Sequence, residues 1–207
     1  MFAYGAAIAA TWATAWVARR LATDRFTISE TRPVVSSVDG MRYRVHSDSQ
    51  TAADMLAALN ERIIELLRSL RGRYGRDAGP GPGPMITRRL LERYNPDNLA
   101  ENSPRDPRGD TSYTIDKGAI VALCLRDRAP AAAVHDLDTL TFVALHELTH
   151  IAIEDVDHPP RFWVAFRFIL VEAEDAGVFL SPNYAANPRR YCGLNIDYNP
   201  RYDAALG

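Results

Sequence analysis

The stretch that most constrains this chain is His146-Glu147-Leu148-Thr149-His150. On a helix each residue advances about 100°, so histidines at i and i+4 lie about 40° apart on one face. From that face both imidazoles can reach one metal ion, and Glu147, one step round, lies beside the ion rather than bound to it. Zinc hydrolases keep at this place the carboxylate that handles the proton of a metal-bound water. The segment Leu137 to Leu145 runs into the motif without a breaker, and Asp136 or Asp138 can cap its start. Leu140, Ala144, Leu148 and Ile151 form an apolar stripe away from the histidines. The spacing therefore predicts a helix with a core face and a separate metal face.

A catalytic zinc takes three protein ligands and keeps one position open. His158 is the expected third ligand. It follows Glu154-Asp155-Val156-Asp157, which breaks the helix and lets the chain fold back, and it precedes Pro159-Pro160, which suits the first turn of a new helix. Glu172 or Glu174, farther along that second helix, is the alternative. Asp155 and Asp157, or the same two glutamates, are candidates to hold an imidazole N–H from behind. No methionine follows Met85, so none can lie beneath the metal. The expected chemistry is Zn²⁺ on His146, His150 and His158, with Glu147 as general base towards a scissile carbonyl. Tyr191 or Tyr198 is a candidate second donor to the carbonyl oxygen.

The rest of the chain is read around this helix. Val34-Val35 and Met41 to Val45 flank an Asp39-Gly40 turn and predict a hairpin. Apolar residues from Met55 to Leu70 recur at three and four, which predicts a helix ended by Gly72 and Gly75. The arginines at its end, from Arg62 to Arg76, are expected to be a solvated helix terminus rather than a phosphate site. Asp77 to Pro84 reads as loop, Ile86 to Tyr94 as a short helix, and Asn95 to Asp110 as loop again. Residues 111–115 and 119–125, around Asp116-Lys117-Gly118, predict a second hairpin, which is the candidate sheet edge for an extended substrate. A helix from Arg161 to Ala176 ends at Gly177, and a tyrosine-bearing tail with little regular structure follows. The fold class is α+β.

A net charge of −2 gives no overall basic signature, so nothing points to nucleic acid. Cys124 and Cys192 are too few for a cysteine-rich metal site. One disulfide is open to them, though a reducing compartment is the plainer expectation. Residues 2–18 carry no charge and are followed by Arg19-Arg20. As a helix they would span about 25 Å, the low end for a bilayer crossing. The expectation is an anchor over residues 1–20 and a single-pass membrane protein. Its catalytic domain, residues 26–207, is placed in the cytosol by the arginines after the apolar run. A cleaved signal peptide would want a basic start, which is missing.

HELTH, His158 and the Phe162-Trp163 pair four residues beyond it resemble the WLM and SprT-like zinc metallopeptidases and the YgjP-type bacterial proteins. Residues 111–126, TSYTIDKGAIVALCLR, and 191–200, YCGLNIDYNP, are similar to short viral members of that group. Residues 151–157 separate the second and third histidines, a longer interval than in many WLM sequences. The resemblance implies a minimal zincin-like domain of the gluzincin type, with helices on a small antiparallel sheet behind the N-terminal hydrophobic helix. It also implies a zinc metalloendopeptidase acting on a protein or peptide substrate. Some members cleave proteins crosslinked to DNA; this chain has no evident DNA-binding module, and that substrate is not carried over. The rival expectation is a non-catalytic, zinc-stabilised interaction or structural protein at a membrane.

Overall fold

The computed structural model describes residues 31–46, 49–75, 79–102, 111–127 and 133–206. Strands β1 (Arg32–Val35) and β2 (Arg42–Val45) form the first predicted hairpin. Helix α1 (Gln50–Tyr74) follows; the Ser49 side chain caps it by accepting from the Ala52 N–H at 3.2 Å. It runs straight through Gly72 and stops at Gly75. Its row of Leu56, Leu59, Ile63, Leu66 and Leu70 is fully buried and makes the spine of the core.

Helix α2 (Pro82–Arg93) begins four residues before the predicted Ile86, inside the stretch read as loop. Prolines at its first and third positions cost nothing, because first-turn N–H groups have no helical acceptor. Strand β3 (Leu99–Glu101) also lies where loop was expected. Three residues cannot show an alternation, yet β3 is central to the sheet. Strands β4 (Tyr113–Ile115) and β5 (Ile120–Leu123) are the second predicted hairpin.

The sheet has the order β1-β2-β3-β5-β4. It is mixed, not antiparallel as expected: β2–β3 and β3–β5 run parallel, whereas β1–β2 and β4–β5 run antiparallel. The parallel β2–β3 pair follows from the α1–α2 crossover between them. The second parallel pair arises because the chain goes from β3 to the edge as β4 and returns beside β3 as β5. Glu101, buried at the end of β3, accepts from Arg126 Nε at 3.0 Å and from the His46 N–H at 2.7 Å. A buried carboxylate is tolerated there because it is paired and hydrogen-bonded.

Helix α3 (Leu137–Ala152) carries the motif and packs between α1 and α2 on one side and β4–β5 on the other. Helix α4 (Pro160–Asp175) packs against it. The tail is more regular than expected, with a two-stranded ribbon of β6 (Arg189–Tyr191) and β7 (Leu194–Ile196). A Cys124–Cys192 disulfide staples this ribbon to the end of β5, which replaces the expectation of two reduced cysteines.

Among the described residues no helix is long and apolar enough to cross a membrane. The long α1 carries charges along its length, such as Glu61, Arg62, Glu65 and Arg68. This overturns the expectation of a single-pass membrane protein with a cytosolic catalytic domain. The predicted hydrophobic helix over residues 1–20 lies outside the described residues.

Candidate metal centre

Helix α3 is fixed at both ends before it presents any ligand. At its start Asp136 accepts from the Thr139 N–H at 2.9 Å and the Thr139 hydroxyl at 2.8 Å. These bonds hold the Asp136 carboxyl below its usual range although burial opposes them. At its end three cations meet carbonyls that have no helical donor. Arg93 donates to Ile151 O at 3.0 Å, Arg89 to Ala152 O at 3.1 Å, and Lys117 Nζ to His150 O at 3.3 Å. The helix dipole favours positive charge at this terminus.

The same cations shape the loop that follows. Glu154 pairs with Arg93 at 2.7 Å and Arg89 at 3.3 Å. Asp155 pairs with Arg161 in the first turn of α4, and its carbonyl accepts from Lys117 Nζ at 2.9 Å. Lys117 sits in the β4–β5 turn, where Gly118 adopts φ +109°. A Cβ at Gly118 would stand 2.9 Å from Arg93 O and 3.3 Å from Ile151 Cδ1, so only glycine lets the turn come this close to α2 and α3. So held, the loop folds back and brings His158 to the two histidines of α3.

The three Nε2 atoms converge. His158 Nε2 lies 3.0 Å from that of His146 and 3.2 Å from that of His150. At these distances the nitrogens can share a proton in an N–H···N bond or share one metal ion. His146, His150 and His158 form a group able to hold a metal ion, and no further His, Cys, Asp or Glu joins it among the described residues. Phe162 forms the floor, its ring 4.9 Å from His146 and 4.6 Å from both His150 and His158. Trp163 stacks on His158 at 5.6 Å, and Tyr198 meets Trp163 edge-on at 5.2 Å.

Desolvation disfavours the charged form of these imidazoles. Burial, reinforced by the neighbouring rings, lowers the pKa of His146 to about 3 and that of His150 to about 4; His158 is shifted down as well, by burial. The neutral imidazole is the form that ligates a metal.

Glu147 is buried beside the histidines, and its Oε2 accepts from the Thr114 hydroxyl at 2.8 Å. Thr114 belongs to β4, the edge strand of the sheet, so the predicted hairpin lies directly against the motif helix. Neither alternative third ligand reaches the centre. Glu172 accepts from Tyr74 at 2.8 Å and pairs with Arg73, tying α4 to α1. Glu174 accepts from Arg201 Nε at 2.8 Å and from the Ser181 N–H at 3.2 Å. Of the two candidate oxygen donors, the buried Tyr191 shares a 2.6 Å hydrogen bond with Ser112, and Tyr198 donates to Asp203 at 2.8 Å. Three of the arginines along α1 pair within the protein: Arg62 with Asp138, Arg68 with Glu65, and Arg73 with Glu172 and Asp175. Sequence reasoning picked out the Phe162-Trp163 pair by its spacing from His158 but not that Phe162 floors the centre, and it missed the Thr114 contact and the three-cation clamp. Of the two missed, only the clamp left a local signal, in Arg89 and Arg93 at helical spacing.

Fold and site together define a class: an α+β protein in which one helix and the loop after it bring three histidines to a single point able to hold a metal ion. Among known proteins, the chain is similar to uncharacterized protein R325 of Acanthamoeba polyphaga mimivirus, 33% identical over 173 residues, which is 83% of this chain and 85% of that protein. Uncharacterized protein 042R of Invertebrate iridescent virus 3 is 31% identical over 155 residues, covering 72% and 87%. Uncharacterized protein 136R of Invertebrate iridescent virus 6 is 32% identical over 104 residues, covering 47% and 57%. The chain belongs to the family of R325 and 042R. No protein-family model and no solved structure matches it.

Proposed function

We propose that this protein is a zinc-dependent metallopeptidase related to the WLM and SprT-like enzymes, built on a minimal zincin-like domain. The observation that carries the reading is the convergence of three imidazoles next to a buried glutamate that is not itself one of the group. Ligands about 2.0–2.1 Å from a tetrahedral zinc lie about 3.3 Å apart, close to the 3.0 and 3.2 Å between these nitrogens. The all-nitrogen donor set also suits zinc better than calcium or magnesium, which prefer oxygen.

When bound, zinc supplies Lewis acidity and lowers the pKa of its water towards about 7. The chain's own residues do the rest. His146, His150 and His158 hold the ion from one side, and Phe162 keeps water from behind them. Glu147 accepts the proton of the attacking water at its carboxylate and passes it to the leaving amine. This reading lays an extended polypeptide along β4, the last strand of the sheet among the described residues, beside α3.

The test is zinc analysis and hydrolysis of casein and a mixed peptide library by the full chain, compared with Glu147→Gln and His158→Ala. The expected result is one zinc per chain and cleavage in the wild type. Glu147→Gln should keep the zinc and lose turnover, and His158→Ala should lose both. A Glu147→Gln protein that cleaves like wild type removes the assigned role.

A further inference from the structure

Thr114 and Glu147, 33 residues apart in the chain, meet where the sheet edge passes α3. The Thr114 hydroxyl lies 2.8 Å from Glu147 Oε2 and 3.4 Å from the Glu147 carbonyl oxygen. A hydroxyl has one proton to give, and the shorter contact assigns it to the carboxylate. The terminal torsion of a glutamate is broad, so packing alone leaves the plane of its carboxylate loosely set. A charge-assisted bond to one oxygen fixes that plane.

We infer that Thr114 is a positioning residue: it orients the Glu147 carboxylate from the strand on which the substrate is laid down. This rests on the peptidase reading and deepens it. A polypeptide added to β4 would order the strand that carries the Thr114 hydroxyl, so substrate binding and alignment of the base share one element. Thr114 holds Glu147 and takes no part in bond making. Its contribution should therefore appear in turnover rather than in affinity for substrate or metal.

The experiment compares full-length, zinc-loaded wild type, Thr114→Val, Thr114→Ser and Glu147→Gln on a peptide selected from the library. Zinc content and thermal unfolding are measured alongside. Valine keeps the shape and removes the donor; serine keeps the donor. Thr114→Val should bind one zinc and lose roughly 10- to 100-fold in kcat, the scale of one hydrogen bond to a charged group. Its KM should stay within about twofold. Thr114→Ser should recover most of the turnover. If Thr114→Val does not fold, Thr114→Ala replaces it with the same expectation. Turnover in the valine or alanine variant within about threefold of wild type, or a serine variant as slow as valine, overturns the inference and leaves the peptidase reading standing. A wild type no faster than Glu147→Gln overturns both.

Discussion

Lys117 donates from the β4–β5 turn to the backbone carbonyl of Asp155 at 2.9 Å. Lys117 is the single lysine of the chain, and burial lowers its pKa. Through this bond a sheet turn holds the loop that delivers His158. Lys117→Met should keep the helical and sheet content but weaken zinc binding roughly 10- to 100-fold, the usual cost of losing support behind a ligand. Competition with a chromophoric chelator measures this, beside circular dichroism. Unchanged affinity would mean that the loop holds its course without the lysine.

Phe162 underlies all three imidazoles and is fully buried. Phe162→Ala removes a ring from the core and from beneath the centre together. It should cost about 3–5 kcal/mol of folding free energy. Urea unfolding of metal-free protein isolates that loss from any change in metal affinity. Phe162→Leu, which keeps most of the volume, should lose far less.

Metal removal should lower the unfolding temperature, because an ion that binds only the native chain stabilises it by mass action. Free zinc at about a thousand times its dissociation constant adds about 4 kcal/mol. Thermal scans with chelator, and then with excess zinc, should show a reversible shift. His158→Ala should show little of it at the same zinc concentration. A shift of full size in that variant would remove His158 from the ligand set.

Much of the centre is legible in the sequence because it is local. His146, Glu147, His150 and His158 fall in one short run, and helical geometry alone places the first three. The N-cap, both hairpins and the start of α4 were equally readable from Asp136, Asp39-Gly40, Asp116-Lys117-Gly118 and Pro159-Pro160. What stayed hidden is non-local or too short to have a period. Leu99-Ala100-Glu101 ends in a charged residue and looks like loop; it is a strand because Arg126 and His46 reach that carboxylate from other parts of the chain. The parallel pairings depend on a crossover, which alternation cannot reveal. The Cys124–Cys192 bond joins positions 68 residues apart. That His158 joins the two helix histidines, and Glu172 and Glu174 do not, follows from partners elsewhere, Tyr74, Arg73 and Arg201, which occupy both glutamates.

Asp54 should contribute to the acid limb of stability. Its carboxylate accepts from the Ser37 N–H at 2.7 Å, from the Ser36 and Ser37 hydroxyls at 2.9 Å each, and from Gln50 at 2.9 Å. These bonds, led by that from Gln50, lower its pKa from 3.8 to about 2. A depressed carboxyl contributes stability that is complete above its unfolded pKa and is lost as pH falls through the folded value. Wild type should therefore exceed Asp54→Asn in urea midpoint at pH 6, with the gap closing between about pH 4 and pH 2. A gap independent of pH would assign the effect to shape rather than charge.

The Cys124–Cys192 link closes a long loop and anchors the ribbon that carries Tyr191 beside Ser112. Cys192→Ser, or reduction, should cost about 4 kcal/mol by the chain-entropy relation for a loop of this length. Chemical unfolding with and without a thiol reductant measures it. Identical midpoints would show that the ribbon holds without the bond.

The metal-binding kit occupies one contiguous run, residues 146–158, whereas the hydroxyl that steadies Glu147 arrives from a separate strand at residue 114. On the proposed reading, capture of an ion and turnover of a substrate are written in different parts of the gene. Drift in the strand can silence the second while leaving the first intact.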